Sequence, residues 1–270
     1  MPFVDRGSHH IHYEVRGDPA APPLLLVMGM SFASSAWFTL PARLEARFRV
    51  ITFDNQGTGR SAALPIGASI ADFADDAAAV LDAAGAPEAD VFGMSMGGMI
   101  AQEFALRHPR RVRSLALGCT FAGYLRSHKT DLRSAFELMA GNFARHDPAD
   151  RAYALRVGSL LVSDDFLRRE PARYLAWFRD ANHGGRRTER LQMLAVMRHN
   201  AEARLQALRA RTLVLTGDRD RIVPAGNSRR LAGIVPGARL VELPGAGHCF
   251  PLEREEETAR ALVEHCLEGR

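Results

Sequence analysis

The sequence predicts an α/β architecture: a mainly parallel β-sheet flanked by helices and interrupted by a helical insertion. Three observations point there. Short, continuous apolar runs alternate with stretches of helical periodicity. One such run leads straight into a helix across a serine set between glycines. The strand rhythm then stops over residues 121–205 and resumes afterwards. A continuous apolar run suits a strand buried on both faces, and strand–helix alternation suits parallel strands joined by crossover helices.

The elements follow in order. Ile11 to Val15 (IHYEV) alternates apolar and polar, as expected of a strand at a sheet edge. Leu24 to Met28 (LLLVM), Arg49 to Phe53 (RVITF), Ala89 to Met94 (ADVFGM) and Arg113 to Gly118 (RSLALG) read as buried strands, as do Thr212 to Gly217 (TLVLTG) and Arg239 to Leu243 (RLVEL). Ser69 to Gly85 reads as a helix with a serine N-cap and a terminal glycine. Gly97 to His108 reads as a helix closed by His108-Pro109, and Ser228 to Ile234 and Glu255 to Leu267 follow. Between them, DLRSAFELMAGNFA and PARYLAWFRDA have helical patterns without a convincing buried strand. The predicted organisation is a core over residues 1–120, a helical insertion over 121–205 and the rest of the core over 206–270.

The chain has 270 residues, 47% of them hydrophobic and 24% charged, which suits a globular protein with one large domain. No apolar run is long enough to span a membrane, and the first residues show no secretory signal. The net charge is +4, and Lys129 is the only lysine. The arginines are scattered among acids, with no dense basic run interleaved with aromatics, so a nucleic-acid surface is not expected. Cys119, Cys249 and Cys266 are unclustered. They predict neither a disulfide framework nor a zinc site, and a reducing, cytoplasmic setting.

The chemistry starts at VFGMSMGGMI, where Ser95 lies at the strand-to-helix junction. A residue there turns sharply, in a backbone conformation that stores strain. Gly93 and Gly97 leave room for the turn and for close packing of strand on helix. Ser95 would then stand above the strand's carboxyl end, and the Met96 N–H, at the helix N-terminus, could bind an oxyanion. A serine hydroxyl needs a base. His248, in LPGAGHCFP after a strand, is the candidate. The base needs an orienting carboxylate, and TGDRDRIVP offers two, Asp218 and Asp220.

With these pieces the sequence resembles the α/β-hydrolase superfamily over nearly its whole length. LLLVMG, FDNQGTGRS, VFGMSMGGMIAQEFALRHPRRV, LVLTGDRDRIVP and LPGAGH each fall where such proteins carry their motifs. The resemblance implies an α/β-hydrolase fold with an inserted helical cap, and the nucleophile–acid–base order Ser95, Asp220, His248. It selects Asp220 by its place before RIVP and leaves Asp218 as a turn or helix-capping acid. It places a second oxyanion donor at the Met30 N–H. Many relatives have His-Gly where this chain has Met28-Gly29, and the methionine is similar to a subset that includes polyketide methylesterases and bacterial enol-lactonase-like hydrolases. Relatives usually have arginine where this chain has Gln56, which puts some loop support in doubt; Asp54 and Asn55 read as structural turn residues.

Met28, Met30, Met94, Met96 and Met99 gather in sequence around this site. At least two should be core; Met30 and Met96 are candidates to line an adaptable apolar pocket. Phe121, Phe143, Trp177 and Phe178 are the candidate substrate-binding aromatics of the cap, against an equally good reading as rings that hold the cap together. His183 reads as a loop residue. The expected activity is cofactor-free, metal-free serine hydrolysis of a small-molecule carboxylic ester or lactone, with bulky secondary metabolites in range. The same residues also suit a perhydrolase, a thioesterase or a carbon–carbon bond hydrolase. From other classes, a non-hydrolytic biosynthetic cyclase or a binding protein could use the same fold.

Overall fold

A computed structural model describes residues 2–131, 134, 150–181 and 184–268. Eight strands run in chain order as β1 (Phe3–Asp5), β2 (His10–Arg16), β3 (Pro23–Val27), β4 (Arg49–Phe53), β5 (Ala89–Met94), β6 (Val112–Gly118), β7 (Arg211–Gly217) and β8 (Arg239–Leu243). They form one sheet in the order β1-β2-β4-β3-β5-β6-β7-β8. The β1–β2 and β2–β4 pairs are antiparallel, and every later pair is parallel.

The apolar runs divide between two layers because successive side chains point to opposite faces of a strand. On β3, Leu25 and Val27 enter one core while Leu24 and Leu26 enter the other. On β7, Val214 joins the first and Leu213 and Leu215 the second. Two edge assignments change. The three-residue β1, too short to show a period, covers β2, so the alternating strand is not the edge. At the other end β8 is the true edge and is only half-buried, despite its apolar spelling.

Helices α1 (Leu40–Leu44), α2 (Ile70–Ala83) and α3 (Met96–Arg107) connect the first strands. The start of α2 is fixed by a reciprocal capping box: the Asp72 N–H donates to Ser69 Oγ, and the Ser69 N–H donates to the Asp72 carboxylate at 2.7 Å. Between β6 and β7 come α4 (Arg151–Leu161), α5 (Asp164–Arg169), α6 (Pro171–Asp180) and α7 (Arg186–Arg198). Among the described residues this segment contains no strand, only an isolated bridge between Gly123 and Asn200. Most of the expected helix DLRSAFELMAGNFA lies outside the described residues. The chain closes with α8 (Gly226–Ile234), α9 (Phe250–Glu253) and α10 (Glu255–Leu267).

The α4–α7 segment is tied to loops that leave the carboxyl ends of the strands. The Ala33 N–H donates to the Ala181 carbonyl, the Gly184 N–H to the Ser31 carbonyl, and the Cys249 N–H to the Leu161 carbonyl. These are the loops after β3 and β8, which carry Met30 and His248. Among the described residues no helix is long and apolar enough to cross a membrane.

Candidate active site

Ser95 joins β5 to α3 with φ 57° and ψ −120°, a region that costs a side-chain-bearing residue free energy. The turn holds because its surroundings over-determine it. The Ser95 N–H donates to the Gly118 carbonyl at 2.8 Å, and the Ser95 carbonyl accepts from Thr120 Oγ1 at 2.8 Å and from the Gly98 N–H at 2.9 Å. A Cβ on Gly93 would collide with the Gly97 carbonyl, and one on Gly97 with the Val27 carbonyl. Those glycines are therefore demanded by strand–helix contact. The Ser95 side chain does not cap α3 and is partly exposed.

Two loops further along the sheet, Asp220 and His248 meet. Asp220 Oδ2 lies 2.8 Å from His248 Nδ1, with both groups buried. The other carboxylate oxygen accepts from the Ile222 and Val223 N–H groups, each at 2.8 Å, which fixes the acid's rotamer. Asp218 faces away and accepts from the Gly245 N–H at 2.7 Å, a turn-closing bond. The histidine loop is also braced. The Gly247 N–H donates to Glu253 Oε1 at 2.7 Å, and Ser163 Oγ donates to the other oxygen at 2.5 Å. Burial pushes the Glu253 carboxyl above its ordinary range, with the Ser163 and Gly247 bonds pulling the other way.

Cys119, the residue after β6, escaped the sequence reading. Its sulfur, an Asp220 oxygen and a His248 ring nitrogen all lie within 4.8 Å of one another, and all three residues are buried. Burial, and secondarily the charge of Asp220, push the Cys119 thiol well above its ordinary range, so it sits there as a neutral thiol. Nothing in the local sequence marks it; only the pairing of β6 with β5 and β7 brings it to the site.

The loop after β3 lies against Ser95. A Cβ on Gly29 would sit 3.2 Å from Ser95 Cβ and 3.8 Å from its Oγ. The Met96 N–H, in the first turn of α3, has no intrahelical acceptor, as helix geometry dictates. The Met30 N–H has no hydrogen-bond partner among the described residues. Asn55 Nδ2 donates to the Met28 carbonyl at 2.9 Å, and Asp54 Oδ1 accepts from both the N–H and the hydroxyl of Ser34. Asp54 and Asn55 therefore brace this loop as well as their own turn. Gln56 donates to Asp76 at 3.0 Å and accepts at its backbone carbonyl from Gln192. Gln56 thus ties its loop to α2 through its side-chain amide and to α7 through its main-chain carbonyl.

The remaining candidates separate. Met28, Met94, Met96 and Met99 are all core side chains. Met30 alone of the five is half-buried, and it lines a cavity of about 250 Å³ with Arg186, Glu189, Arg190, Met193 and Leu194 of α7. Trp177 and Phe178 are 2% exposed: Trp177 Nε1 donates to the Ala36 carbonyl at 2.8 Å, and both rings pack on Tyr174. Phe121 lies in the core beside Tyr124. Phe143 and His183 lie outside the described residues.

Comparison with known proteins follows the same lines. Residues 22–255 match the family model described as alpha/beta hydrolase fold. A protein of Azorhizobium caulinodans, provisionally named carbamate hydrolase RutD, is 32% identical, with 99% of each chain covered. A pimeloyl-[acyl-carrier protein] methyl ester esterase of Chromobacterium violaceum is 32% identical over 90% of this chain and 94% of its own. Among solved structures, the enol-lactonase from Burkholderia xenovorans LB400 superposes with a TM-score of 0.85 at 25% identity, covering 99% of this chain and 100% of that one.

Proposed function

Because this chain belongs to the α/β-hydrolase fold family, a family of hydrolases, we propose that it is a cofactor-free serine hydrolase acting on a carboxylic ester or lactone. The observation that carries the reading is the buried 2.8 Å contact of His248 Nδ1 with Asp220, beside a strained turn that leaves the Ser95 hydroxyl uncommitted to its own helix. Asp220 accepts the Nδ1 proton, which leaves Nε2 as the basic nitrogen. Nε2 takes the Ser95 proton as Oγ attacks the substrate carbonyl carbon. The carbonyl oxygen becomes an oxyanion, received by the N–H groups of Met96 and Met30. Collapse expels the alcohol with the proton from His248. Water, deprotonated by His248, then releases the acid and restores Ser95. The named relatives are a methyl ester esterase, an enol-lactonase and a carbamate hydrolase, and each name implies attack at an acyl carbonyl.

In this reading α4–α7 form a cap over the site, and the cavity beside Met30 takes part of the substrate. Its walls combine Met30, Met193 and Leu194 with the arginines and glutamate of α7, so it suits a largely apolar acyl or alkoxy group with a polar end.

The test is covalent and kinetic. A fluorophosphonate probe should label the protein, and Ser95→Ala should abolish both labelling and turnover of a panel of acyl esters, lactones, thioesters and carbamates. Labelling that persists in the variant would overturn the assignment of the nucleophile. Turnover confined to thioesters or carbamates would keep the nucleophile and replace the substrate class.

A further inference from the structure

The side chain of Gln192 on α7 is fully buried. Its Oε1 accepts from the Ser31 N–H at 2.8 Å, and its Nε2 donates to the Gln56 carbonyl at 3.1 Å. A buried amide is costly unless paired, and this one spends both ends on backbone groups of two core loops rather than on its own helix.

Ser31 shows what the bond holds. It is a non-glycine residue with φ 69°, and its own hydroxyl is buried without a hydrogen-bond partner among the described residues. Its side chain therefore does not stabilise the left-handed backbone. The two hydrogen bonds to its main chain come from elsewhere: Gln192 takes the N–H, and the Gly184 N–H, at 2.6 Å, meets the carbonyl. On the other side of Met30, Asn55 holds the Met28 carbonyl. The Gly29–Met30 peptide is thus spanned by two pinned points, and its N–H is left without a partner among the described residues.

We propose that Gln192 is a positioning residue for the oxyanion site: by holding the Ser31 N–H, it aims the Met30 N–H at the oxygen that gains charge in the transition state. The inference rests on the reading of Met30 as an oxyanion donor. Donors of this kind work only when fixed in advance, and displacement by about 1 Å costs on the order of 10²-fold in rate. The bond also joins the α4–α7 segment to the chemistry, so the helix that lines the cavity beside Met30 also sets the geometry of the reacting oxygen.

The experiment compares Gln192→Met, which keeps the volume but neither hydrogen bond, with Gln192→Glu, which keeps an acceptor for the Ser31 N–H and, as the neutral acid, an O–H donor for the Gln56 carbonyl. Both are assayed on p-nitrophenyl butyrate and for inhibition by butylboronic acid, which forms a tetrahedral adduct at a nucleophilic serine. Gln192→Met should lower kcat by about 10- to 100-fold with KM nearly unchanged, and should weaken boronate inhibition by the same factor as kcat/KM. Gln192→Glu should stay within a few-fold of wild type. If Gln192→Met does not fold, Gln192→Asn, which withdraws the amide by one methylene, should show the same kcat loss. Unchanged kcat in a folded variant, a loss confined to KM, or equal damage in Gln192→Glu would overturn the proposal. Ser95→Ala separates the two levels. If it retains turnover, the serine-hydrolase reading itself fails; if it is inactive while Gln192→Met is normal, only the positioning role fails.

Discussion

At the scale of single residues, the two aspartates after β7 do different work although they stand two positions apart. Asp220 reaches His248 and Asp218 closes a turn. Asp220→Asn should therefore lower kcat by on the order of 10⁴-fold, the size seen for the analogous change in serine proteases, by removing the carboxylate that holds the imidazole tautomer. Asp218→Asn should cost less than about tenfold, since an amide oxygen can still accept from the Gly245 N–H. Parallel kinetics on the two variants decide the matter, and the reverse ranking would reassign the acid. Gly97 gives a sharp test of packing. Its Cβ position is already occupied by the Val27 carbonyl, so Gly97→Ala must push α3 off β3. Urea denaturation should show a loss of about 3 kcal/mol, at the upper end of what overpacking costs. A loss below about 1 kcal/mol would mean that the helix shifts freely.

At the scale of elements, α7 is amphipathic in its duties. One face delivers Gln192 and Thr188 to core loops, with Thr188 Oγ1 donating to the Gly57 carbonyl at 3.0 Å. Another presents Met193 and Leu194 to the cavity beside Met30. Met193→Ala should accordingly change the ranking of ester substrates by chain length while leaving fluorophosphonate labelling of Ser95 near normal. An unchanged ranking would move the substrate pocket elsewhere. Elements were legible in the sequence to the degree that their signals are local. The helix at 70–83 announced itself with Ser69 and its terminal glycine, and β5 with an apolar run whose six residues are all buried. The short β1 carried no period, and the half-exposed β8 spelled like a buried strand because position in a sheet is not written in a strand's own residues.

For the whole molecule, a buried histidine outside the candidate site links stability to pH. Burial holds the His199 ring down at about 4, against the pull of Glu103 and with the push of Arg204. Its ring faces Gln102 and Glu103 of α3. The unfolded chain takes up this proton near 6.5 and the folded chain only near 4. Stability present above pH 6.5 is therefore lost as pH falls toward 4, by on the order of 3 kcal/mol for this group. Urea unfolding of wild type and His199→Gln over pH 7 to 4 should diverge by that order, with the variant flatter. Parallel curves would mean that His199 gains its proton without cost to the fold.

By itself the sequence determined the layered sheet, the places where strands end, and the residues those ends present. Continuous apolar runs must be buried on both faces, and glycines beside a serine, a histidine or an aspartate mark the turns that follow. Ser95 and His248 stood out as candidates because each sits in such local punctuation, and resemblance to relatives chose Asp220 as the third. Only the tertiary structure decided which side chains meet. It brought Cys119 to Asp220 and His248, turned Trp177 into packing between α6 and the residues after β3 and Phe178 into packing between α6 and α4, and carried Gln192 from a distant helix to the Ser31 N–H. Those contacts join residues far apart in the chain, and their geometry follows from how layers pack and strands register. Neither composition nor spacing records such partners, because a hydrogen bond across space leaves no period along the chain.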